Sequence, residues 1–475
     1  VDAKISARSL SSALGGWRSR EPAYEALADG VRLLCMDNRI APRTALPAER
    51  ELAHALGLSR STVAAAYRSL RESGHITSVR GSGSITLPLR RHDPGHTRGD
   101  EGAIDLQQAS PPAWPGLSGV IAEAAADAAS LVGRSGYDMV GDERLRAGIA
   151  ARYSERGLPT DPEQVLITNG AQSAIHLLAR TLVTRGDRVL LETPTYPHAA
   201  DAFRRAGARL VGVPVTTSDG WDLDRATQAF GRTLPMLAYL MPDFQNPTGR
   251  SMSDEERAVF LREAERAGTT LIVDETTADL GIEEPRSGVR SFRAADPAHV
   301  VRIGSVGKTV WGGLRVGWIR GEVGLLRRFV AARPEGDLGT PELEQDIARR
   351  LVARLDEIVT QRAHVLGEGR DAVTAALRER LPEWAVPEVR GGVSLWVGLD
   401  APLSSALVMD VRSRGLLLSA GPRFSIEGGH DRHLRVPFTS APDALVRAVD
   451  ILAERWPQVR RLAPDAGVDA LATVV

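Results

Sequence analysis

The chain has 475 residues, 43% hydrophobic and 25% charged, with a formal net charge of −1. That composition describes a globular protein of two or three domains with material for large cores, and no apolar run approaches the roughly 18 residues that a membrane helix needs. One cysteine, Cys35 in the apolar run VRLLCM, excludes an internal disulfide framework, fits a reducing cytoplasm and reads as a buried small hydrophobe.

The first residues, with Asp2 and no long apolar stretch, do not read as a secretory signal. Charge is split unevenly. Residues 1–90 hold 13 Lys and Arg against 8 Asp and Glu, whereas the remainder holds 46 against 52. A basic start on an acidic body points to nucleic acid at one end. From Pro22 to about Met36, Leu27, Val31, Leu34 and Cys35 recur at helical spacing. After the turn NRIAPRTALP, Ala48–Leu56 reads as a short helix that Gly57 breaks, and Ser59 or Ser61 caps a second helix running to Glu72. Gly74 stops it, and HITSVRGSGSITL reads as two short strands around a glycine-rich hairpin. This is the order of a winged helix-turn-helix.

SRSTV opens the recognition helix, which turns Arg60, Ser61, Thr62 and Arg68 toward DNA, where arginine takes guanine bidentately in the major groove. Arg50 suits a phosphate, and Arg80 on the wing suits a phosphate or the minor groove. LPAERELA followed by GLSRSTVAAAYRSLRESG resembles the GntR family of winged-helix repressors, over about residues 22–88. The domain is read as residues 1–88, and the resemblance implies a double-stranded DNA operator.

Residues 89–112 lose periodicity and gain Pro, Gly, Asp and Arg, so they read as a linker. Beyond it, Ile175–Thr184 and His198–Ala206 read as helices, and RVLLET, RLVGVPV, MLAYLMP and TLIVDE as strands ending in polar residues. Such alternation implies an α/β body, residues 113–475, built on a mostly parallel sheet covered on both sides, with its site at the strand C-termini. A smaller α+β unit, about 360–460, mixes a long helix with the strands GGVSLWVGL, GLLLSA and HLRVPF.

Of 59 basic residues only Lys4 and Lys308 are lysine. A lysine kept where arginine is otherwise written suits chemistry that a guanidinium cannot do, because an amine can be deprotonated and made nucleophilic. In IGSVGKTVWGGLRVGW a strand delivers Ser305 and then Lys308, and Arg315 follows: a lysine for an aldehyde, a hydroxyl and a guanidinium for a phosphate. TNGAQSA puts Gly170, Ala171 and Gln172 at a helix N-terminus that can cradle the same phosphate. Asn246 in PDFQNPTG can bond a ring oxygen, Asp274 at a strand end can pair with a pyridinium nitrogen, and Tyr196 in ETPTYP can stack on the ring.

GAQ, NPTG, a strand-end Asp, SxxK and GLRxG, in this order, resemble the fold-type I aminotransferases that use pyridoxal 5'-phosphate, over roughly 113–460. The resemblance implies that Lys308 forms the aldimine with the cofactor, that Asp274 pairs with the pyridine nitrogen, and that Asn246 meets the phenolic oxygen. By the same resemblance Ser305 and Arg315 bind phosphate, Tyr137 reaches the phosphate of the partner subunit, and Arg435 in HLRVPF holds an effector carboxylate. No metal is implied. Two positions depart from the family: Thr277 stands where a tyrosine is usual and Gly307 where a serine is, which bears on proton shuttling.

A GntR-type winged helix joined to such a body resembles the MocR subfamily from end to end. The subfamily implies a cytoplasmic, operator-bound transcription factor that works as a head-to-tail homodimer, each winged helix over the other subunit's body. The body would sense pyridoxal phosphate or an amino compound, in vitamin B6 or amino acid and amine metabolism, rather than turn substrate over. The alternative is a working aminotransferase that carries a DNA-binding domain.

Overall fold

The structure, a computed structural model, describes residues 3–14, 17, 22–36, 39–79, 83–87, 103–283 and 299–461. In the N-terminal domain β1 (Ala3–Lys4) pairs in parallel with β2 (Thr44–Ala45), and β2 leads to the antiparallel hairpin β3 (Ile76–Val79) and β4 (Gly83–Thr86). Helices α1 (Ala7–Leu14), α2 (Ala23–Met36), α3 (Glu49–Leu56) and α4 (Arg60–Glu72) share a core around Leu27, Val31, Leu52, Val63, Tyr67 and Leu70. β1 and α1 have no counterpart in the reading of the sequence, yet Leu10 of α1 is fully buried in that core. Gly57 ends α3 in the left-handed conformation, φ 64°, and returns its amide to the helix carbonyls. Ser59, not Ser61, is the cap of α4: its hydroxyl accepts from the Thr62 amide at 3.1 Å.

Eight strands make the central sheet of the body: β6 (Val165–Thr168), β7 (Arg188–Thr193), β8 (Arg209–Thr216), β9 (Gly220–Trp221), β10 (Leu237–Leu240), β11 (Thr270–Asp274), β12 (Val300–Ser305) and β13 (Gly317–Arg320). They lie in the order β6-β13-β12-β11-β10-β7-β8-β9, with β13 antiparallel to both its neighbours and β9 antiparallel to β8. Both faces are covered, as the strand alternation implies. Val189, Leu191, Leu237 and Tyr239 pack with α7 (Ala171–Leu182) and α8 (Pro197–Arg205), while Leu190, Ala238 and Leu240 pack with α9 (Leu223–Thr233) and α10 (Asp254–Ala267). α5 (Leu117–Ala126), α6 (Glu143–Glu155) and α12 (Glu342–Val352) enclose a further cluster with Val306 and Val316, and α11 (Val323–Ala332) lies beside α7.

The small subdomain joins α13 (Leu355–Arg380), α14 (Ser404–Arg412) and α15 (Pro442–Arg460) to the sheet β14 (Ser394–Gly398), β17 (His433–Pro437) and β16 (Ser419–Ala420). A separate pair lies beside it. β15 (Leu416–Leu417) runs parallel to β5 (Ile104–Asp105), a strand drawn from the segment read as linker. Residues 103–112 are therefore part of the body's fold, since Leu106 and Ala109 bury their side chains in the small-subdomain core. The earlier part of that segment, 89–102, lies outside the described residues. Helix α2 packs on α14 of the same chain, and Ser12 Oγ donates to the Glu427 carbonyl at 3.4 Å. No helix among the described residues is long and apolar enough to cross a membrane.

Candidate functional site

The C-terminal ends of β6, β7, β10, β11 and β12 meet at a cavity of about 410 Å³, where open parallel sheets keep their ligand sites. Ala171, Gln172, Tyr196, Asn246, Asp274, Ser305, Lys308, Arg315 and Arg435 all line it. Strand direction is what gathers most of them, because these strands point the same way. Tyr137 is apart from them, in the loop before α6 and 69% exposed.

Lys308 Nζ donates to the Ala109 carbonyl at 2.5 Å. Burial, helped by the charges of Arg435 and Arg315, draws its amine down to about 8, with Asp274 pulling the other way. In the cofactor-free protein, acylation of Lys308 by an amine-specific reagent rises about tenfold per pH unit below pH 8 and levels off above it. Peptide mapping follows one site easily, since the only other lysine is Lys4. A rate still climbing at pH 10 would show that the cavity does not depress the amine.

Asp274 is 2% exposed and takes the Thr276 amide on Oδ1 at 2.9 Å and the Tyr239 hydroxyl on Oδ2 at 2.5 Å. Burial lifts its carboxyl above the usual range despite these bonds and the Lys308 charge. A cation brought to it would relieve that cost. Nearby, Asn246 Oδ1 and Gln172 Oε1 are buried with no hydrogen-bond partner. At the start of α7, Gly170 holds φ 79° and no side chain caps the helix. A Cβ there would stand 2.7 Å from an Arg315 guanidinium nitrogen, so only glycine lets Arg315 lie over the open helix end. Ser305 donates to the Val316 carbonyl at 3.1 Å and accepts from the Gly307 amide at 3.0 Å, which fixes it on the cavity wall.

Arg435 is 6% exposed, lies 4.8 Å above the Phe424 ring, and donates to the Gln107 carbonyl at 2.5 Å, while its Nε has no partner. Thr277 spends its hydroxyl hydrogen on the Asp243 carbonyl at 2.7 Å. These features fit pyridoxal phosphate. An amine made available near neutral pH suits the aldehyde, a helix end with a guanidinium suits the phosphate, and a buried carboxylate suits the ring nitrogen. The Asn246 and Gln172 side chains add polar groups to the same cavity wall.

Sequence reasoning missed Tyr239, whose hydroxyl holds Asp274. In LAYL it is indistinguishable from a core strand residue, and its ring is indeed buried. It also missed Arg423, which lines the cavity and reaches Asp201 at 3.1 Å, and the carbonyls of Gln107 and Ala109, for which no side chain is a signal.

On the N-terminal domain Arg50, Arg60, Ser61 and Arg68 are exposed and Thr62 is half-buried. Arg60 Nε lies 3.8 Å from Glu49 and stays largely open to solvent. The Ser61 and Thr62 hydroxyls sit 2.8 and 2.7 Å from Ser59 Oγ, so both belong to the cap of α4 as much as to any DNA face. Arg80 lies outside the described residues.

Known proteins resemble the two parts of the chain separately. The family model for aminotransferase class I and II matches residues 115–452, and that for bacterial regulatory proteins of the gntR family matches residues 23–85. An uncharacterized HTH-type transcriptional regulator of Bacillus subtilis, YdfD, is 25% identical over 433 residues, 84% of this chain and 89% of that one. The probable rhizopine catabolism regulatory protein MocR of Rhizobium meliloti is 31% identical over 327 residues, 63% of this chain and 65% of that one. Among solved structures, the α-aminoadipate aminotransferase LysN of Thermus thermophilus, complexed with N-(5'-phosphopyridoxyl)-L-leucine, superposes with a TM-score of 0.70 at 28% identity, over 76% of this chain and 94% of that one. The chain belongs to the aminotransferase class I and II family, whose cofactor is pyridoxal phosphate, and with its GntR-type DNA-binding domain it has the architecture of the MocR-type regulators.

Proposed function

We propose that the chain is a transcriptional regulator whose aminotransferase-like body senses pyridoxal phosphate, or an amino compound that combines with it, and passes the signal to the winged helix. The observation that carries this is Lys308, one of two lysines in the chain, half-buried just beyond a strand end with its amine drawn toward neutrality and a phosphate cradle beside it. Bound there, pyridoxal phosphate supplies an aldehyde that bonds amines and a ring that withdraws electrons.

The chain's own residues divide the remaining work. Lys308 holds the cofactor by its amine. Gly170, Ala171 and Gln172 offer helix-end amides, and Arg315 a guanidinium, to the phosphate, with Ser305 beside them and Tyr137 coming from the partner subunit. Asp274 keeps a proton on the ring nitrogen, Asn246 holds the phenolic oxygen, Tyr196 covers the ring face, and Arg435 takes an effector carboxylate. Residues 1–88 would be the DNA-binding unit and the body, read from the sequence as 113–475 and extended by residues 103–112 that pack on it, the effector unit, with Arg50, Arg60, Ser61, Thr62, Arg68 and Arg80 facing the operator. Tyr137's exposure suits a homodimer. In a head-to-tail dimer the α2 and α14 surfaces would meet between subunits as they do within one.

A ligand shifts such a switch only through unequal affinity for its two states. The alternative, a working transaminase, draws support from the full set of Asp274, Lys308 and Arg435, and is opposed by Thr277, whose hydroxyl is spent on a carbonyl. The test selects a tight duplex from a random library with the full chain, then measures its affinity with and without pyridoxal phosphate and amino acids. We expect the affinity to change with ligand, and Arg60→Ala to weaken binding about tenfold, as loss of a base contact does. DNA affinity indifferent to every ligand, with steady turnover of amino donor and keto acid, would favour the transaminase.

A further inference from the structure

Residues 104–112 carry the chain from the body toward the winged helix, and they cross the cavity on the way. The Ile104 amide donates to the Gly415 carbonyl and the Leu106 amide to the Leu417 carbonyl, each at 2.8 Å, which ties β5 to the small subdomain. The next two bonds turn inward: Arg435 donates to the Gln107 carbonyl and Lys308 to the Ala109 carbonyl, both at 2.5 Å. Farther on, the Pro112 carbonyl accepts from Arg362 at 3.0 Å, and the Trp114 amide donates to the Val310 carbonyl at 2.9 Å. The segment is thus a strap fastened at both ends, with its middle bonded to two cations of the cavity.

Those two cations are the ones that a ligand needs. A neutral carbonyl is a weaker partner for a buried cation than a carboxylate is. The Gln107 carbonyl also leaves Arg435 partly unsatisfied, since Nε has no partner. A ligand therefore finds each group engaged, but by a partner that it can displace.

We propose that residues 107–109 are an internal competitor for the ligand: a ligand carboxylate takes Arg435 from the Gln107 carbonyl, engagement of Lys308 frees the Ala109 carbonyl, and the released strap loosens β5 on β15. Occupancy of the cavity is then read by the stretch of chain that leads to the winged helix. The proposal rests on the reading of this cavity as the cofactor and effector site. It also names the trigger class, an amino compound that carries a carboxylate. A plain amine leaves the Gln107 carbonyl on Arg435 and moves the strap at one point only.

Hydrogen exchange of the full chain, read by mass spectrometry on peptides covering 104–110, tests it. The cavity is filled with phosphopyridoxyl-L-alanine or with phosphopyridoxyl-ethylamine, which differ by the carboxylate alone. The Ile104 and Leu106 amides are expected to exchange about tenfold faster with the alanine adduct, the effect of losing one charge-assisted hydrogen bond. Arg435→Met is expected to exchange fast without ligand and to abolish the difference between the adducts. Arg435→Lys keeps a buried cation, retains part of the protection, and guards against a misfolded Met variant.

Equal or slower exchange with the alanine adduct, both adducts being bound by their absorbance, overturns the strap. Failure of either adduct to bind removes the site and the strap together. DNA affinity measured on the same samples separates the two readings. Exchange that responds while DNA affinity does not supports the strap and breaks the regulatory reading, and the reverse breaks the strap alone.

Discussion

Lys308→Ala should abolish the visible absorption band that pyridoxal phosphate gives with the parent protein, and should weaken retention of the cofactor on the order of a hundredfold or more. Loss of the amine removes both the bond to the aldehyde and a half-buried positive charge beside the phosphate cradle. The fold should not suffer. A lysine whose amine falls from 10.5 to about 8 is penalised in its charged form. At about 1.4 kcal/mol per unit, that drop is worth about 3 kcal/mol against the folded cofactor-free state. For a base with a lowered folded value the penalty is full below pH 8 and fades as the pH rises toward 10.5. The cofactor-free variant at pH 7 should therefore melt no lower than the parent. Spectra and melting curves of parent and variant, with and without cofactor, check both halves. An unchanged band in the variant would move the aldehyde's partner elsewhere and remove the basis of the functional reading.

Gly170→Val should be the most damaging change that leaves Lys308 in place. A β-branched residue at φ 79° is strained, by roughly 1–3 kcal/mol. Its Cβ would also enter the space of the Arg315 guanidinium, 2.7 Å away. Displacing Arg315 removes a charge-assisted contact, worth about 1.5–3 kcal/mol, from the phosphate. We expect the cofactor dissociation constant to rise about a hundredfold in a spectral titration. Selected-duplex binding in the absence of cofactor should be intact, because α4 is far along the chain and separately packed around Val63 and Tyr67. Saturation at the parent's concentration would mean that the phosphate does not lie at the α7 terminus.

The helix-turn-helix and the sheet were legible because their signals are periodic. Leu27, Val31 and Leu34 mark one helix face, and β7 and β10 alternate between two buried layers. The residues that line the cavity were legible as neighbours for another reason: a strand end followed by glycine, asparagine or lysine is where chemistry is placed in a parallel sheet. Legibility failed where a residue's role depends on its neighbours. Tyr239 looks like core and is core, yet its hydroxyl reaches Asp274 from the adjacent strand. Residues 104–112 were read as linker with the rest of 89–112 because the segment loses periodicity and gains Pro, Gly, Asp and Arg, although a two-residue strand and the side chain of Leu106 bind them to the small subdomain. Helix α1 is short, ARSLSSAL, and only Leu10 and Leu14 bury, too few positions for a period to show.

The strap over the cavity meets Arg435 and Lys308 through backbone oxygens. Every amino acid carries that oxygen, so selection on the contact cannot be recorded as a preferred residue at 107 or 109. What it can record is length. Between Leu106, fixed in the core, and Trp114, fixed to Val310, a residue gained or lost would slide both carbonyls off their cations. Substitutions at the exposed Gln108 would pass, whereas Ala109 and Pro111 are held by their burial and not by the contact. Among descendants of this gene the exposed positions of the stretch should drift in spelling, buried Ala109 and Pro111 should stay small or apolar, and insertions and deletions should be purged, a constraint of length that a search for invariant residues would overlook.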